Sequence, residues 1–146
     1  MNEIKINRHN LNLFINNIRD EDLEELIYFL GNDYKNKFID FVLNNQKGTY
    51  FLEHNSMPSC IGGIYNDNFG GQVWLLCSKD YDKKFLFTYI KEKINVFKKN
   101  NSYLYNYIYK SNFKALKWLK KFGFKVINSN NKNIKLFYHR REKSNL

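Results

Sequence analysis

The spacing of hydrophobic positions along the first 47 residues changes from a strand period to a helical one. Residues 3–7 alternate between polar and apolar side chains, which predicts a short first strand. Three helices are expected after it, over residues 11–18, from residue 20 to a stop at Gly31, and over residues 33–44. Acidic residues open the second helix, where the positive end of the helix dipole favours them. This region therefore predicts one strand followed by a helical stretch.

Short alternating segments dominate from residue 49 onward. Strands are predicted over residues 49–54, 59–65 and 72–77, and the turns between them are short, so these strands should form an antiparallel meander. The later elements are expected in this order: a helix over residues 80–99, a strand over 102–109, a helix opened by Ser111 and stopped at Gly123, and a hairpin of residues 124–128 and 134–138.

A predicted helix joins the strands at residues 72–77 and 102–109. Parallel strands need such a crossover, so these two should run parallel within a mixed, mostly antiparallel central sheet. Strands and helices in this order predict an α+β fold arranged as a three-layer α/β/α sandwich. The residues expected to be buried are Trp74, Leu86, Ile90, Ala115, Leu119 and Phe124, with Trp118 at the edge of the core.

The composition is that of a folded chain. Of its 146 residues, 43% are hydrophobic and 18% aromatic, which is too apolar for a disordered protein and fits one domain over residues 1–146. Cys60 and Cys77 lie in apolar runs without metal-ligand spacing, so no metal is expected. No apolar run approaches the roughly 20 residues of a membrane span, and residues 1–10 lack the apolar core of a signal peptide. The expected location is the cytoplasm, with no membrane partner.

Charge is distributed unevenly along the sequence. Residues 1–78 carry 6 Lys and Arg against 10 Asp and Glu, whereas residues 79–146 carry 18 against 4. A basic half attracts nucleic acid or an anionic cofactor such as coenzyme A. The abundance of Lys, Asn, Ile, Tyr and Phe is also what an AT-rich genome produces, and under that interpretation the lysines are ordinary solvated residues. Both interpretations stay open at this point.

The most informative pattern in the sequence runs Asn112-Phe113-Lys114-Ala115-Leu116-Lys117-Trp118-Leu119-Lys120-Lys121-Phe122-Gly123-Phe124. An Asn opens a predicted helix, an Ala follows three residues later, and Gly-Phe ends it. This pattern resembles the closing motif of the GNAT superfamily of N-acetyltransferases, and the predicted order of elements resembles the GNAT fold. The resemblance implies the acyl-CoA N-acyltransferase fold, with acetyl-CoA as the cofactor.

A narrower resemblance covers residues 73–123. The segments that carry it are Val73-Trp74-Leu75-Leu76, Leu104-Tyr105-Asn106-Tyr107-Ile108-Tyr109, Asn112 and Trp118-Leu119-Lys120-Lys121-Phe122-Gly123. They are similar to the small internal virion protein family of T-seven-like podophages, which are themselves divergent GNAT domains. This resemblance implies a phage protein with virion or core proteins as partners, located in the host cytoplasm or the virion interior. An AT-rich phage gene agrees with it.

The loop that would hold a cofactor departs from the GNAT pattern. GNAT proteins hold the cofactor pyrophosphate on backbone amides of a Gln/Arg-x-x-Gly-x-Gly/Ala loop that enters a helix. The matching residues 77–85 contain no glycine, and Asp80 and Asp82 put negative charge where the phosphates would lie. Asp80 is expected to cap the helix instead. The cofactor-binding candidates implied by the resemblance are Leu76, Cys77, Ser78, Lys83, Lys84 and Asn112.

The candidate catalytic residues lie outside the position that GNAT proteins usually use. Many GNAT proteins use a Tyr of the closing helix to protonate the leaving thiolate, and Leu119 stands at that position here. Tyr105 and Tyr107 on the neighbouring strand are substitutes, although alternating tyrosines more often pack against a helix. Glu53 and His54 are candidate bases for an acceptor amine, without a motif around them.

Three functions follow from these observations. The first is a phage protein of the virion or its assembly that keeps the GNAT fold and has weakened or lost acetyl transfer. The second is an active acetyl-CoA-dependent N-acetyltransferase with a divergent loop. The third is a basic nucleic-acid-binding domain, because Lys121-Phe122-Gly123-Phe124-Lys125-Val126 resembles an RNA-recognition strand signature. That signature must lie on a strand, whereas Gly123 is expected to end a helix.

Overall fold

The computed structural model describes residues 2–142, and over that range the chain forms seven strands and five helices. The strands are β1 (Asn2–Glu3), β2 (Thr49–His54), β3 (Met57–Asn66), β4 (Gly71–Cys77), β5 (Tyr103–Tyr109), β6 (Lys125–Asn128) and β7 (Ile134–Arg140). The helices are α1 (Arg8–Asn16), α2 (Asp20–Leu30), α3 (Tyr34–Asn44), α4 (Lys83–Asn100) and α5 (Phe113–Lys121).

The strands form one mixed sheet in the order β1-β2-β3-β4-β5-β7-β6. Strands pair antiparallel at β1–β2, β2–β3, β5–β7 and β6–β7. β4 and β5 pair in parallel, Gly71 with Leu104 and Gln72 with Tyr105, and α4 joins them. The α+β class, the mostly antiparallel sheet and the parallel pair across a helix are thus confirmed.

The chain divides into two compact units. The N-terminal unit consists of residues 2–63 and Trp74–Leu86, and the C-terminal unit of Ile64–Val73 and residues 87–142. The chain passes between the units inside β3, β4 and α4, so no linker separates them. The single domain over residues 1–146 stays a prediction.

The core of the N-terminal unit is built from the apolar stripes of α1, α2 and α3. Phe14 is fully buried, and its ring centroid lies 6.5 Å from that of Phe38 and 5.9 Å from that of Phe51. Trp74 meets Phe38 and Phe41 edge-on, at 6.1 and 5.9 Å. The helix α3 therefore packs on this core through Phe38 and Phe41.

The core of the C-terminal unit is aromatic. Phe87 stacks on Phe122 with 4.9 Å between ring centroids and meets Trp118 edge-on at 5.6 Å. Phe124 meets Phe137 edge-on at 5.4 Å. Because α5 turns Trp118 and Phe122 inward, Trp118 is buried, with 8% of its surface exposed, rather than at the edge of the core.

Burial matches the predicted core only in part. Leu86 and Phe124 are buried, with 0% and 4% of their surfaces exposed. The residues that are less buried than predicted are Trp74, Ile90, Ala115 and Leu119. For Ala115 and Leu119 the reason is the rotation of α5 about its axis, which brings Trp118 to the position expected of Leu119.

The first strand and helix begin and end differently from the prediction. β1 ends at Glu3, and α1 begins at Arg8. Asn7 accounts for the early helix, because its Oδ1 accepts a hydrogen bond from the Asn10 amide at 2.8 Å and caps the N-terminus.

α4 begins at Lys83, three residues later than predicted. Asp82 caps it: its Oδ1 accepts from the Phe85 amide at 3.2 Å, and its carbonyl accepts from the Leu86 amide at 3.0 Å. The prediction that Asp80 is the cap is therefore wrong, because Asp80 lies in the turn before the helix. α4 is 18 residues long, and no helix within residues 2–142 combines the length and apolar character that crossing a bilayer requires.

Candidate functional site

The end of β4 and the turn into α4 contain most of the predicted cofactor-binding residues. Leu76, Cys77 and Ser78 are buried, with 7%, 5% and 1% of their surfaces exposed. Lys83 and Lys84 are exposed in the first turn of α4. All five lie in the N-terminal unit, so the structure brings this part of the predicted set together.

On the β3 side, the backbone after β4 is hydrogen-bonded to the protein itself. The Ser78 amide donates to the Ser59 carbonyl at 2.8 Å. The Asp80 amide donates to Ser78 Oγ at 3.2 Å, and Ser59 Oγ donates to the Asp80 carbonyl at 3.4 Å. Two loop positions, Ser78 and Asp80, are thus tied to Ser59 near the start of β3.

The edge of β4 away from β3 is covered by the α1–α2 junction, residues 17–19. The Arg19 amide donates to the Cys77 carbonyl at 3.0 Å, and the Lys79 amide donates to the Asn17 carbonyl at 2.9 Å. Ile18 and Ser78 form the antiparallel bridge between them. The junction therefore pairs with the end of β4 as an added strand would.

Asp22 fixes this arrangement from the first turn of α2. Its carboxylate accepts from Arg19 Nε at 2.8 Å and Arg19 Nη2 at 2.9 Å, and from the Cys77 amide at 2.8 Å. Burial by itself lowers the pKa of the Arg19 guanidinium, but the hydrogen bonds and the charge of Asp22 outweigh it, so the pKa is raised. Sequence reasoning assigned Asp22 only to the acidic cluster at the helix start, because its partner Cys77 lies 55 residues away.

Four consecutive amides, from Cys77 to Asp80, therefore donate to acceptors within the protein. Asp82 caps the helix α4 that follows, and its carboxylate accepts a hydrogen bond from the Phe85 amide in the first turn. Asp80 is exposed beside it. An incoming phosphate would meet two carboxylates and a loop whose donors are engaged.

The tyrosines of β5 lie in the C-terminal unit. The Tyr105 hydroxyl donates to the Asp67 carboxylate, whose Oδ1 also accepts from the amides of Phe69 and Gly70 at 2.8 and 3.0 Å. The hydrogen bond to Asp67, with some burial and the Asp67 charge, raises the pKa of Tyr105 to about 12. The same hydrogen bond lowers the pKa of Asp67. Tyr105 is thus engaged in the turn between β3 and β4.

Tyr107 is the more open of the two candidate tyrosines. It is 43% exposed, whereas the Tyr105 ring stacks on Tyr103 with 5.4 Å between centroids. Between them lies Asn106, which sequence reasoning missed. Its Nδ2 donates to the Val73 carbonyl at 2.9 Å, just past the last β4–β5 pair.

Glu53 and His54 end β2 at its hairpin with β3. Glu53 pairs with Pro58 and His54 with Met57, one and two positions before Ser59. They therefore lie at the same end of the sheet as Ser78, about two strand spacings, or roughly 10 Å, away. Their role as a base for an acceptor amine stays a prediction.

Asn112 and Leu119 stand where the GNAT motif places its closing helix. Asn112 is 2% exposed and occupies the cap position of α5, so the predicted cap Ser111 is wrong by one residue. Its carbonyl accepts from the Leu116 amide at 3.1 Å. Leu119 is partly buried and has no proton to donate.

Both cysteines are buried in strands, and neither forms a disulfide within the described residues. Burial raises the pKa of Cys60 to about 12, so the Cys60 thiol stays protonated at neutral pH. Within residues 2–142, no three His, Cys, Asp or Glu side chains cluster as metal ligands would.

The segment that resembles an RNA-recognition strand does not form one. Lys121 ends α5, and Gly123 has φ +89° as the helix exit requires. Phe122 and Phe124 are buried, with 6% and 4% of their surfaces exposed, so neither can stack on a base.

Solved structures with similar folds cover almost the whole chain. The Pyrococcus horikoshii protein PH1933 has a TM-score of 0.72 and 15% identity, over 96% of each chain. A GNAT-family acetyltransferase from Bacillus cereus has a TM-score of 0.59 and 14% identity, over 97% of this chain and 98% of that one. A variant of the Vibrio cholerae spermidine N-acetyltransferase has a TM-score of 0.62 and 11% identity, over 95% and 93%. The chain has the GNAT fold. No family model and no curated protein matches its sequence.

With identities of only 11–15%, these structural similarities establish the fold alone, and the chemistry has to be judged from the residues of the site. The resemblance to GNAT proteins implies an acyl-CoA whose pyrophosphate rests on loop amides. Here the amides of Cys77, Ser78, Lys79 and Asp80 already have acceptors in the protein. The residues present do not fit an acyl-CoA held in that way.

Proposed function

We propose that this chain is a GNAT-fold protein in which acetyl-CoA binding and acetyl transfer are weakened or lost, and that it serves in a phage virion or its assembly. The observation that carries the first part is the engagement of four consecutive amides after β4. Of these, the Cys77 amide donates to the Asp22 carboxylate, the Lys79 amide donates to the Asn17 carbonyl in the α1–α2 junction, and the Ser78 amide donates to the Ser59 carbonyl in β3.

Binding an acyl-CoA on this loop would require breaking those bonds. Each broken bond to a buried group costs about 1–3 kcal/mol when the group is left without a partner. The exposed Lys83 and Lys84 are poor replacements, because an exposed charge contributes about 1 kcal/mol or less. Asp80 and Asp82 oppose them.

Two of the positions considered as the source of the proton that acetyl transfer needs are poor donors. A departing thiolate is the conjugate base of a thiol with a pKa near 8.5. Tyr105 keeps its proton and donates it in a hydrogen bond to the Asp67 carboxylate. With its pKa raised to about 12, Tyr105 is a much weaker acid than that thiol. Leu119 supplies none. These features support the proposal that the chain retains the GNAT fold while acetyl transfer is weakened or lost.

Calorimetric titration with acetyl-CoA tests the proposal. The expected result is no saturable heat at cofactor concentrations up to about 1 mM, which corresponds to binding weaker than about −4 kcal/mol. The Vibrio cholerae spermidine N-acetyltransferase, titrated in parallel, controls for the cofactor preparation. A dissociation constant in the low micromolar range contradicts the proposal and favours the alternative, an active N-acetyltransferase.

The virion setting is supported by the resemblance of residues 73–123 to small internal virion proteins, and it places the chain in the host cytoplasm or the virion interior. The test is co-expression with the core proteins of a podophage. Co-purification of this chain with assembled cores is expected, and its absence from cores that assemble normally contradicts this part.

A further inference from the structure

The C-terminal unit contains a long basic segment without a single acid. Residues 93–141 include 13 Lys and Arg and no Asp or Glu over 49 positions. Genome composition does not account for this gap, because an AT-rich gene supplies Glu and Asp codons as well as Lys codons. The first 78 residues of the same chain hold 10 acids against 6 cations.

The basic side chains gather most closely on α5. Lys114, Lys117 and Lys121 follow each other at spacings of three and four residues, which places them on one side of the helix, and all three are exposed. Like charges at these spacings destabilise a helix by roughly 0.2–0.5 kcal/mol per pair. The helix dipole favours Lys121 at the C-terminal end but disfavours Lys114 in the first turn.

An aromatic ring stands within this basic face. Phe113, the first residue of α5, is 74% exposed, and Lys117 lies one turn further along the same side. The helix packs through Trp118, which is buried against Phe87, and Lys121 borders this packed side because its Nζ lies 5.8 Å from the centroid of the Phe87 ring. Phe113 is therefore an exposed ring that the fold of this unit does not use.

These features favour nucleic acid over other polyanions. An anionic membrane would need an apolar helix face to insert, and the apolar side of α5 is turned toward Phe87 and the core. Lysines that follow a phosphate backbone beside an exposed aromatic ring are the arrangement that binds single strands, whose unstacked bases present a face to the ring.

We propose that the exposed face of α5 binds single-stranded nucleic acid, with Lys114, Lys117 and Lys121 on successive phosphates and Phe113 stacked on a base. This site goes beyond the proposed loss of acetyl transfer and uses residues outside the β4 loop. It also differs from the strand-type platform that the sequence of residues 121–126 resembles.

Fluorescence anisotropy with a labelled 20-nucleotide oligothymidylate tests the site on the full chain. Salt-dependent binding is expected, and the triple variant K114A/K117A/K121A should weaken it roughly tenfold or more at about 50 mM salt. Its plot of log K against log[salt] should be shallower by about 2, since each phosphate contact contributes about 0.7. The variant Phe113→Ala should lose roughly five- to a hundredfold in affinity without changing that slope.

Matched controls keep the result specific to α5. The variant K5A/K35A/K47A removes three exposed charges from the N-terminal unit, and it should bind nearly as wild type. The site is refuted by equal losses in the two triple variants, by an unchanged affinity for Phe113→Ala, by duplex DNA that binds as tightly as the single strand, or by binding to anionic vesicles alone. Circular dichroism of each variant confirms that it is folded.

Discussion

Replacing Asp22 with Ala is the most informative perturbation of the β4 loop. Asp22 and Arg19 expose only 3% and 13% of their side chains, and the carboxylate has three donors, two from Arg19 and one from Cys77. The substitution leaves a largely buried guanidinium and a buried amide without this acceptor. Breaking a buried ion pair by removing one partner costs about 3–5 kcal/mol.

The chain supplies its own control for this change. Arg19 has a second carboxylate neighbour, Glu21, which is 54% exposed and lies 3.7 Å from Nη1. Exposed pairs contribute about 0–1 kcal/mol, so Glu21→Ala should scarcely change stability. The variant Asp22→Asn should fall between the two, because its side-chain oxygen can still accept from Cys77 while the charge is lost.

Urea unfolding followed by tryptophan fluorescence measures the difference. With an m-value of about 2 kcal/mol/M, a loss of about 4 kcal/mol lowers the midpoint by about 2 M. If Asp22→Ala unfolds the chain completely, Asp22→Asn still gives a measurable shift. Equal midpoints for Asp22→Ala and Glu21→Ala would refute the argument that Asp22 anchors the end of β4.

Two further results are expected. Leu86→Ala should lower the free energy of unfolding by about 2–5 kcal/mol, because Leu86 has no exposed surface. Leu119→Ala should lower it by less, because Leu119 is only partly buried, and equal losses in the two variants would contradict this difference in burial. The pKa of Tyr105 is raised to about 12 in the folded state, above an ordinary value near 10, so its hydrogen bond stabilises the protein fully below pH 10 and is lost as the pH rises through about 12. Tyr105→Phe should therefore be less stable than wild type near pH 8, with the difference shrinking as urea midpoints are measured toward higher pH, and a difference that grows with pH contradicts the bond to Asp67.

The sequence predicted the fold well because its signals are local. The bounds of β2 match the alternation of residues 49–54, and α4 between β4 and β5 required the parallel pair that is observed. Turn and cap residues acted as expected where the partner is close in sequence, as with Gly123 after α5.

Only those features of the candidate site that depend on which residues the loop contains could be predicted from the sequence. The missing glycines and the acids at Asp80 and Asp82 are visible in the sequence, and they remain obstacles in the structure. The pairing of residues 17–19 with the end of β4 is not visible, because Ile18 and Ser78 are 60 positions apart and nothing local marks either one. The caps predicted at Asp80 and Ser111 were also wrong, because Asp82 and Asn112 occupy the cap positions of α4 and α5.

Residue-resolved amide hydrogen exchange shows directly whether the protein itself engages the amides after β4. The amides of Cys77, Ser78 and Lys79 are expected to be strongly protected in the protein alone, because each donates to an acceptor within the fold, and acetyl-CoA is expected to leave their exchange unchanged. Fast exchange of these amides without cofactor, followed by protection when acetyl-CoA is added, would contradict it and return the loop to a working role in cofactor binding.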